Sequence, residues 1–192
     1  VSGKTKSILK GERLALNIMQ RMAGIATNAM EYMKLVEGTQ TKIVDTRKTT
    51  PLFRYFEKLA VKHGGATNHR FGLSDAVMIK DNHIRAAGSI VDAVGTIRRT
   101  IPHTMKIEIE VENFDEAKEA LSAKSDIIML DNIRGDELKK CVELLKDKVI
   151  IEASGTITLE NIREIAQTGV DVISTGAIIY NASNMDIGMD FE

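Results

Sequence analysis

Residues 106–132 read KIEIEVENFDEAKEALSAKSDIIMLDN, and the choice of fold turns on them. Ile107, Ile109 and Val111 alternate with Lys106, Glu108, Glu110 and Glu112; a helical stretch follows, then the apolar run Ile127-Ile128-Met129-Leu130. That succession is the pattern of a strand, a crossover helix and a parallel strand. Taken alone, the charged face of the first strand reads as solvated. The second run is apolar on both faces, as in a strand covered on both sides, so its neighbour is expected to be covered too. Glu110 and Asp131 then lie near strand C-termini, where α/β sheets and barrels bind ligands.

Outward from this unit the alternation of strand and helix continues. Strands are expected at 42–47, 66–69 and 76–82 on the N-terminal side, and at 149–155 and 170–176 on the C-terminal side, about seven in all. Helices are expected from Glu12 to Glu37 with Gly38 ending it, from Pro51 to about His63, from Ser89 to Arg99, from Gly135 to Lys146 and from Leu159 to Thr168. In the first helix a 3.6-residue stripe runs through Ile18, Met22, Ile25, Ala29, Met33 and Val36, and Met19, Met30 and Leu35 widen it as core packing. This order predicts a parallel α/β sheet. No GxGxxG turn and no P-loop is present. Instead almost every strand ends in polar residues: Arg47 and Lys48, His69 and Arg70, Lys80, Glu110, Asp131, Ser154, Ser174. Strand ends that all contribute must converge, which predicts a closed or nearly closed parallel α/β barrel of the TIM kind.

The totals narrow the function. With 27 acidic against 26 basic residues and a net charge of -1, no global field draws nucleic acid or a membrane surface. Aromatics at 4% leave no stacking stripe for nucleic acid. The single cysteine, Cys141, excludes an intrachain disulfide and favours a reducing compartment; it is core or surface filler. No apolar run approaches the roughly 20 residues of a membrane span. A soluble, cytoplasmic protein is expected, with residues 1–11 a remnant of a linker or of a preceding N-terminal domain and 12–192 the barrel domain.

The early strand ends deliver cations: Arg47, Lys48, His69, Arg70 and Lys80. In a chain of net charge -1, their shared position points to an anionic small molecule, although each alone reads as a surface charge. The later strand ends deliver two carboxylates, Glu110 and Asp131, which suit a hard cation such as Mg²⁺. Ser154-Gly155 and Ser174-Thr175-Gly176 are turns of the kind whose amides cradle phosphate. His83 and His103 read as structural or surface residues, and the histidine spacing fits no zinc site.

Several motifs go further than these residue types. They are Glu12-Arg13, Leu16-Asn17, Gly24-Ile25-Ala26-Thr27, Thr46-Arg47-Lys48-Thr49, Asn68-His69-Arg70, Ile79-Lys80-Asp81-Asn82-His83, Glu108-Ile109-Glu110-Val111, Met129-Leu130-Asp131-Asn132, Glu152-Ala153-Ser154-Gly155 and Ile173-Ser174-Thr175-Gly176. Their identity and order resemble the quinolinate phosphoribosyltransferase family over nearly the whole chain. The resemblance implies an incomplete α/β barrel, preceded by an N-terminal domain. It implies an enzyme that condenses quinolinate with phosphoribosyl pyrophosphate, giving nicotinate mononucleotide, carbon dioxide and pyrophosphate in NAD synthesis. It implies a quinolinate pocket of Arg47, Lys48, His69, Arg70 and Lys80, with Arg13 donated across the interface of a homodimer or higher homo-oligomer. It also implies catalytic roles for Lys80, Glu110 and Asp131, with Glu110 and Asp131 holding Mg²⁺ and ribose and Ser154, Gly155, Ser174 and Gly176 meeting phosphate. Two positions depart from the family's usual pattern: Thr156 stands where a second glycine is usual and Ala23 where serine is usual, and a Cβ at 156 is expected to crowd a phosphate-binding amide. A phosphoribosyltransferase for another pyridine carboxylate, or a barrel that binds phosphometabolites without turnover, fits the residue types as well.

Overall fold

The computed structural model describes residues 1–190. In chain order its elements are α1 (Thr5–Leu35), β1 (Lys42–Val44), α2 (Arg54–His63), β2 (Val77–Ile79), α3 (Asp81–Ala87), α4 (Ile90–Thr100), β3 (Ile107–Val111), α5 (Phe114–Ser122), β4 (Ile127–Asp131), α6 (Gly135–Leu145), β5 (Ile150–Ser154), α7 (Ile162–Gln167), β6 (Val172–Ser174) and α8 (Ala177–Tyr180). The strands form one six-stranded sheet in the order β1-β6-β5-β4-β3-β2, parallel throughout. Period-two alternation places Ile107, Ile109 and Val111 at zero exposure on one face of β3, while Glu108 on the other face is also buried. The charged face is therefore interior, as the doubly apolar β4 beside it requires.

The sheet curls. His69, from a segment attached beyond β1, brings its Nε2 to 3.3 Å from Glu108 on β3 and 3.6 Å from Glu152 on β5. A flat sheet would hold these strands far apart, because neighbours are spaced about 4.8 Å. The result is a parallel α/β barrel left open between β2 and the segment around Thr67, in keeping with the incomplete barrel expected.

The opening corrects one expected element. Residues 66–69 do not form a seventh strand; only Thr67 bridges to Val44, exchanging bonds with Ile43 and Asp45. The ladder stops there because the Asp45 carboxylate, rather than a backbone carbonyl, accepts the next amide, that of His69. The expected helix from Pro51 begins only at Arg54, since Leu52 adopts a positive φ of 63° and breaks the helical run. Met19 and Met30 are corrected as well: both are exposed, while Met22 and Met33 pack on the core. The face of α1 that packs on α2, α7 and α8 carries Ile25, Ala29 and Tyr32, and 19 and 30 lie off it. α1 starts at Thr5 rather than Glu12, and the short α3 was not foreseen. His83 caps α3, its Nδ1 accepting the Lys80 amide at 2.9 Å, a structural role as expected.

Helix α1 is also sewn to the far end of the chain. Arg21 donates to the carbonyls of Ile179 and Ala182, Asn28 to those of Ala177 and Ile178, and Gln20 to that of Ile187. Gly24 lets the backbones touch, since a Cβ there would sit 1.7 Å from the Ser183 carbonyl oxygen. Cys141 is core filler, fully buried on α6, with its thiol pushed up to about 11 by that burial. Among the described residues no helix is long and apolar enough to cross a membrane.

Candidate active site

The C-terminal ends of the strands open on a cleft of about 460 Å³. Arg47, Lys48, His69, Arg70, Lys80, Glu110, Asp131, Ser154, Gly155 and Ser174 all line it, so the sequence-chosen residues do converge. Gly176 lies just beneath: a Cβ there would meet the Lys48 side chain at 3.1 Å and the Tyr180 ring at 2.8 Å. Arg13 does not reach this cleft; it sits exposed on α1.

The carboxylate wall is built by strand register. Glu110 pairs with Met129 and Met129 with Glu152, one layer of interior side chains, and Asp131 pairs with Ser154 in the next. Lys80, at the end of β2, forms an ion pair with Glu110. Asp131 accepts a hydrogen bond from the Asn132 side chain at 3.1 Å. Two carboxylates on one open wall are a hard-oxygen donor set of the sort Mg²⁺ takes while keeping several waters.

The phosphate-type turn after β5 is strained. Gly155 has φ +78 and leaves no room for a Cβ, which would strike the Asn132 side chain at 2.4 Å. Thr156 follows at φ +42, a conformation that suits the glycine usual at this position far better than a β-branched residue. Its hydroxyl donates to Asn132 Oδ1 at 3.1 Å, so the side chain turns aside and the cost is carried by the backbone. Nothing in the structure explains Ala23.

The cationic wall is held by α2. Arg54 donates to the carbonyls of Arg47 and Phe71 and to the Thr49 hydroxyl. Glu57, fully buried, accepts from the Thr50 amide, the Thr50 hydroxyl and Arg21. Lys58, also buried, pairs with the buried Asp45 and donates to the His69 carbonyl at 3.0 Å. Burial pushes the Asp45 carboxyl up, against the pull of Lys58, and pushes the Lys58 amine down, against the pull of Asp45. Arg70 is fixed by bonds from its guanidinium to the Ala76 carbonyl and the Met78 sulfur.

At the cleft floor His69 meets Glu108 and Glu152. Burial alone would lower the His69 pKa, but its bond to Glu108 and the charges of Glu152 and Glu108 outweigh burial and raise it. Burial and the neighbouring Glu108 push Glu152 up to about 7. The three side chains offer ligand atoms within 4.8 Å of one another. The Nδ1 of His69, however, accepts the Arg70 amide at 2.8 Å, so the ring hydrogen sits on Nε2, the atom a metal would need. The cluster is therefore hydrogen-bonded rather than metal-ligating, with Nε2–H directed at Glu108.

Glu108, Glu152, Asp45, Glu57, Lys58 and Arg21 were missed as contributors. The signal for two of them was present in the sequence: each lies in a strand of otherwise apolar surroundings, Glu108 pairing with Met78 and Ile127 and Glu152 with Met129 and Val172.

Comparison with known proteins agrees with this geometry. A family model described as Quinolinate phosphoribosyl transferase, C-terminal domain, matches residues 25–190. A probable nicotinate-nucleotide pyrophosphorylase [carboxylating] of Synechocystis is 47% identical over 98% of this chain and 65% of the relative. Its counterpart in Bacillus subtilis is 45% identical over 98% of this chain and 65% of its own length. The crystal structure of NadC from Streptococcus pyogenes superposes with a TM-score of 0.93 at 41% identity, covering 98% of this chain and 66% of that one. The chain thus spans about 65% of the length of the curated relatives it matches.

Proposed function

Since this chain belongs to the quinolinate phosphoribosyl transferase C-terminal domain family, we propose that it forms the barrel of an enzyme converting quinolinate and phosphoribosyl pyrophosphate to nicotinate mononucleotide, carbon dioxide and pyrophosphate. The observation that carries the proposal is the two-sided cleft: five cationic or protonatable residues on the early strand ends face carboxylates and a glycine turn on the late ones. Relatives at up to 47% identity bearing the name nicotinate-nucleotide pyrophosphorylase [carboxylating] support it.

In this mechanism Arg47, Lys48, His69, Arg70 and Lys80 bind the two carboxylates of quinolinate and so aim its ring nitrogen at the anomeric carbon. Such positioning is worth several kcal/mol, on the order of 7 or more for a well-aligned attack. The turns at Ser154-Gly155 and Ser174-Gly176 receive phosphate. Glu110 and Asp131 lie where positive charge develops on the ribose and stabilise it electrostatically. The same pair would hold Mg²⁺, which when bound neutralises pyrophosphate oxygens. After transfer the positive charge of the quaternised ring stabilises the electron pair left on the ring carbon as carbon dioxide departs, and that carbon then takes a proton from solvent. Lys80, paired with Glu110, links the two walls and serves both. Arg13, exposed on α1, would complete the quinolinate pocket of a second subunit in a homodimer or larger assembly.

Release of carbon dioxide from carboxyl-labelled quinolinate tests the proposal. It should require both phosphoribosyl pyrophosphate and Mg²⁺, and no release by the protein at its full natural length, with both present, overturns it.

A further inference from the structure

His69 and Arg70 stand on the one part of the barrel wall that the sheet does not hold. Among the described residues no ladder continues beyond the single bridge from Val44 to Thr67, and β2 pairs with β3 instead. A loop in that position loses the fixed spacing that β3 to β6 give their own site residues. Two buried side chains supply the missing bonds. Asp45 Oδ1 accepts the His69 amide at 2.8 Å, Asp45 Oδ2 accepts the Asn68 side chain at 2.7 Å, and Lys58 donates to the His69 carbonyl at 3.0 Å. The Asn68 amide group also donates to the Lys58 carbonyl at 2.9 Å, and Asp45 and Lys58 close the circuit as an ion pair. The donor and acceptor of residue 69 are thus both satisfied by charged side chains, which form stronger bonds than neutral partners.

We propose that Asp45 and Lys58 are positioning residues: their buried ion pair replaces the absent seventh strand and sets where His69 and Arg70 meet the anionic substrate. The inference rests on the functional reading above, in which His69 and Arg70 hold quinolinate. A buried pair is a poor device for stability alone, because its desolvation cost rivals its attraction and apolar replacements of both partners are often neutral. That difference separates positioning from stabilisation. Removing one charge strands the other in the interior, whereas removing both does not.

The experiment compares Asp45→Asn, Lys58→Met and the double variant in the protein at its full natural length. Each single variant should lower Tm, and the double variant should recover much of that loss. All three, the double included, should raise KM for quinolinate by about tenfold or more, since small misplacements of binding groups carry penalties of that size. KM for phosphoribosyl pyrophosphate should stay within about twofold, because β5 and β6 are untouched. Amide exchange across residues 66–72 should quicken in all three, with β3 to β5 unchanged. A double variant that regains both Tm and the wild-type KM for quinolinate overturns the proposal, as does unchanged exchange over 66–72 in every variant that folds. If wild-type protein shows no turnover of quinolinate, the functional reading fails, and the exchange measurement still decides whether the pair holds the segment.

Discussion

The two walls of the cleft are made by different means. The carboxylate wall rides on β3, β4 and β5, five residues each, whose parallel pairing repeats the same bonds from strand to strand. The cationic wall rides on loops after β1 and on the segment around Thr67, where ladder bonds give out and Arg54, Glu57, Lys58 and Asp45 take over. Regular pairing distributes its energy over many equivalent bonds, so single residues matter mainly through packing. Side-chain brackets concentrate it in a few charged groups, so each has a large individual effect. An open barrel gains adaptable loops at its gap and accepts this fragility in return.

The sharpest test of the contrast is Glu57→Ala. It leaves the Thr50 amide without its acceptor and the Arg21 guanidinium without its carboxylate, with only the Ile179 and Ala182 carbonyls remaining, and unfolding by urea should show a loss of about 3 to 5 kcal/mol. A loss under about 1 kcal/mol would mean that the bracket is ornamental. On the opposite wall Asp131→Asn should keep the fold, because the residue makes one hydrogen bond and is half-exposed. Turnover should nevertheless fall about a hundredfold, equivalent to about 2.7 kcal/mol, and wild-type turnover at saturating Mg²⁺ would remove Asp131 from the chemistry. Arg70→Ala should weaken quinolinate binding by about 1.5 to 3 kcal/mol in calorimetry, the worth of a charge-assisted bond.

A pH-dependent effect follows from the floor between the walls. Because the Glu152 carboxyl is raised from 4.5 to about 7, the fold favours its protonated form. That contribution is fully present below pH 4.5 and is lost as pH climbs through about 7. Relative to Glu152→Gln, wild-type stability should therefore decline across this window by about 3 kcal/mol, seen as a shrinking Tm difference or one that changes sign. The smallest expected effect is Thr156→Gly. Relief of a left-handed β-branched residue, less the added freedom of glycine in the unfolded chain, should stabilise by about 1 kcal/mol or less, or a few degrees in Tm.

The same contrast sets how much the sequence disclosed. On the ladder wall Glu110 is read from alternation, because period two tells where each side chain of a strand goes, and Asp131 and Ser154 from their place at strand ends. The cations were found by their place after strands and by family motifs. What escaped was whatever depends on contacts distant in the chain: Asp45 with Lys58, Arg21 with Glu57, His69 with Glu108 and Glu152. A charged residue on a strand or helix is usually solvated, so nothing local marks these as buried until their partners are known. The seventh strand was misjudged for the same reason, since residues 66–69 stand where the alternation of elements calls for a strand and the Asp45 side chain diverts their bonding.

The stitching of α1 to residues 177–187 has a consequence in time. Gln20, Arg21 and Asn28 leave the ribosome ahead of every strand of the sheet, but the carbonyls they bind follow only after the six strands. Contacts separated by 149 to 167 residues are among the slowest to close. Until then α1 carries an unspent set of polar groups and a half-covered apolar stripe, and the nascent barrel lacks its clasp. The segment that follows β6 is thus the one that locks a helix made before any strand of the sheet.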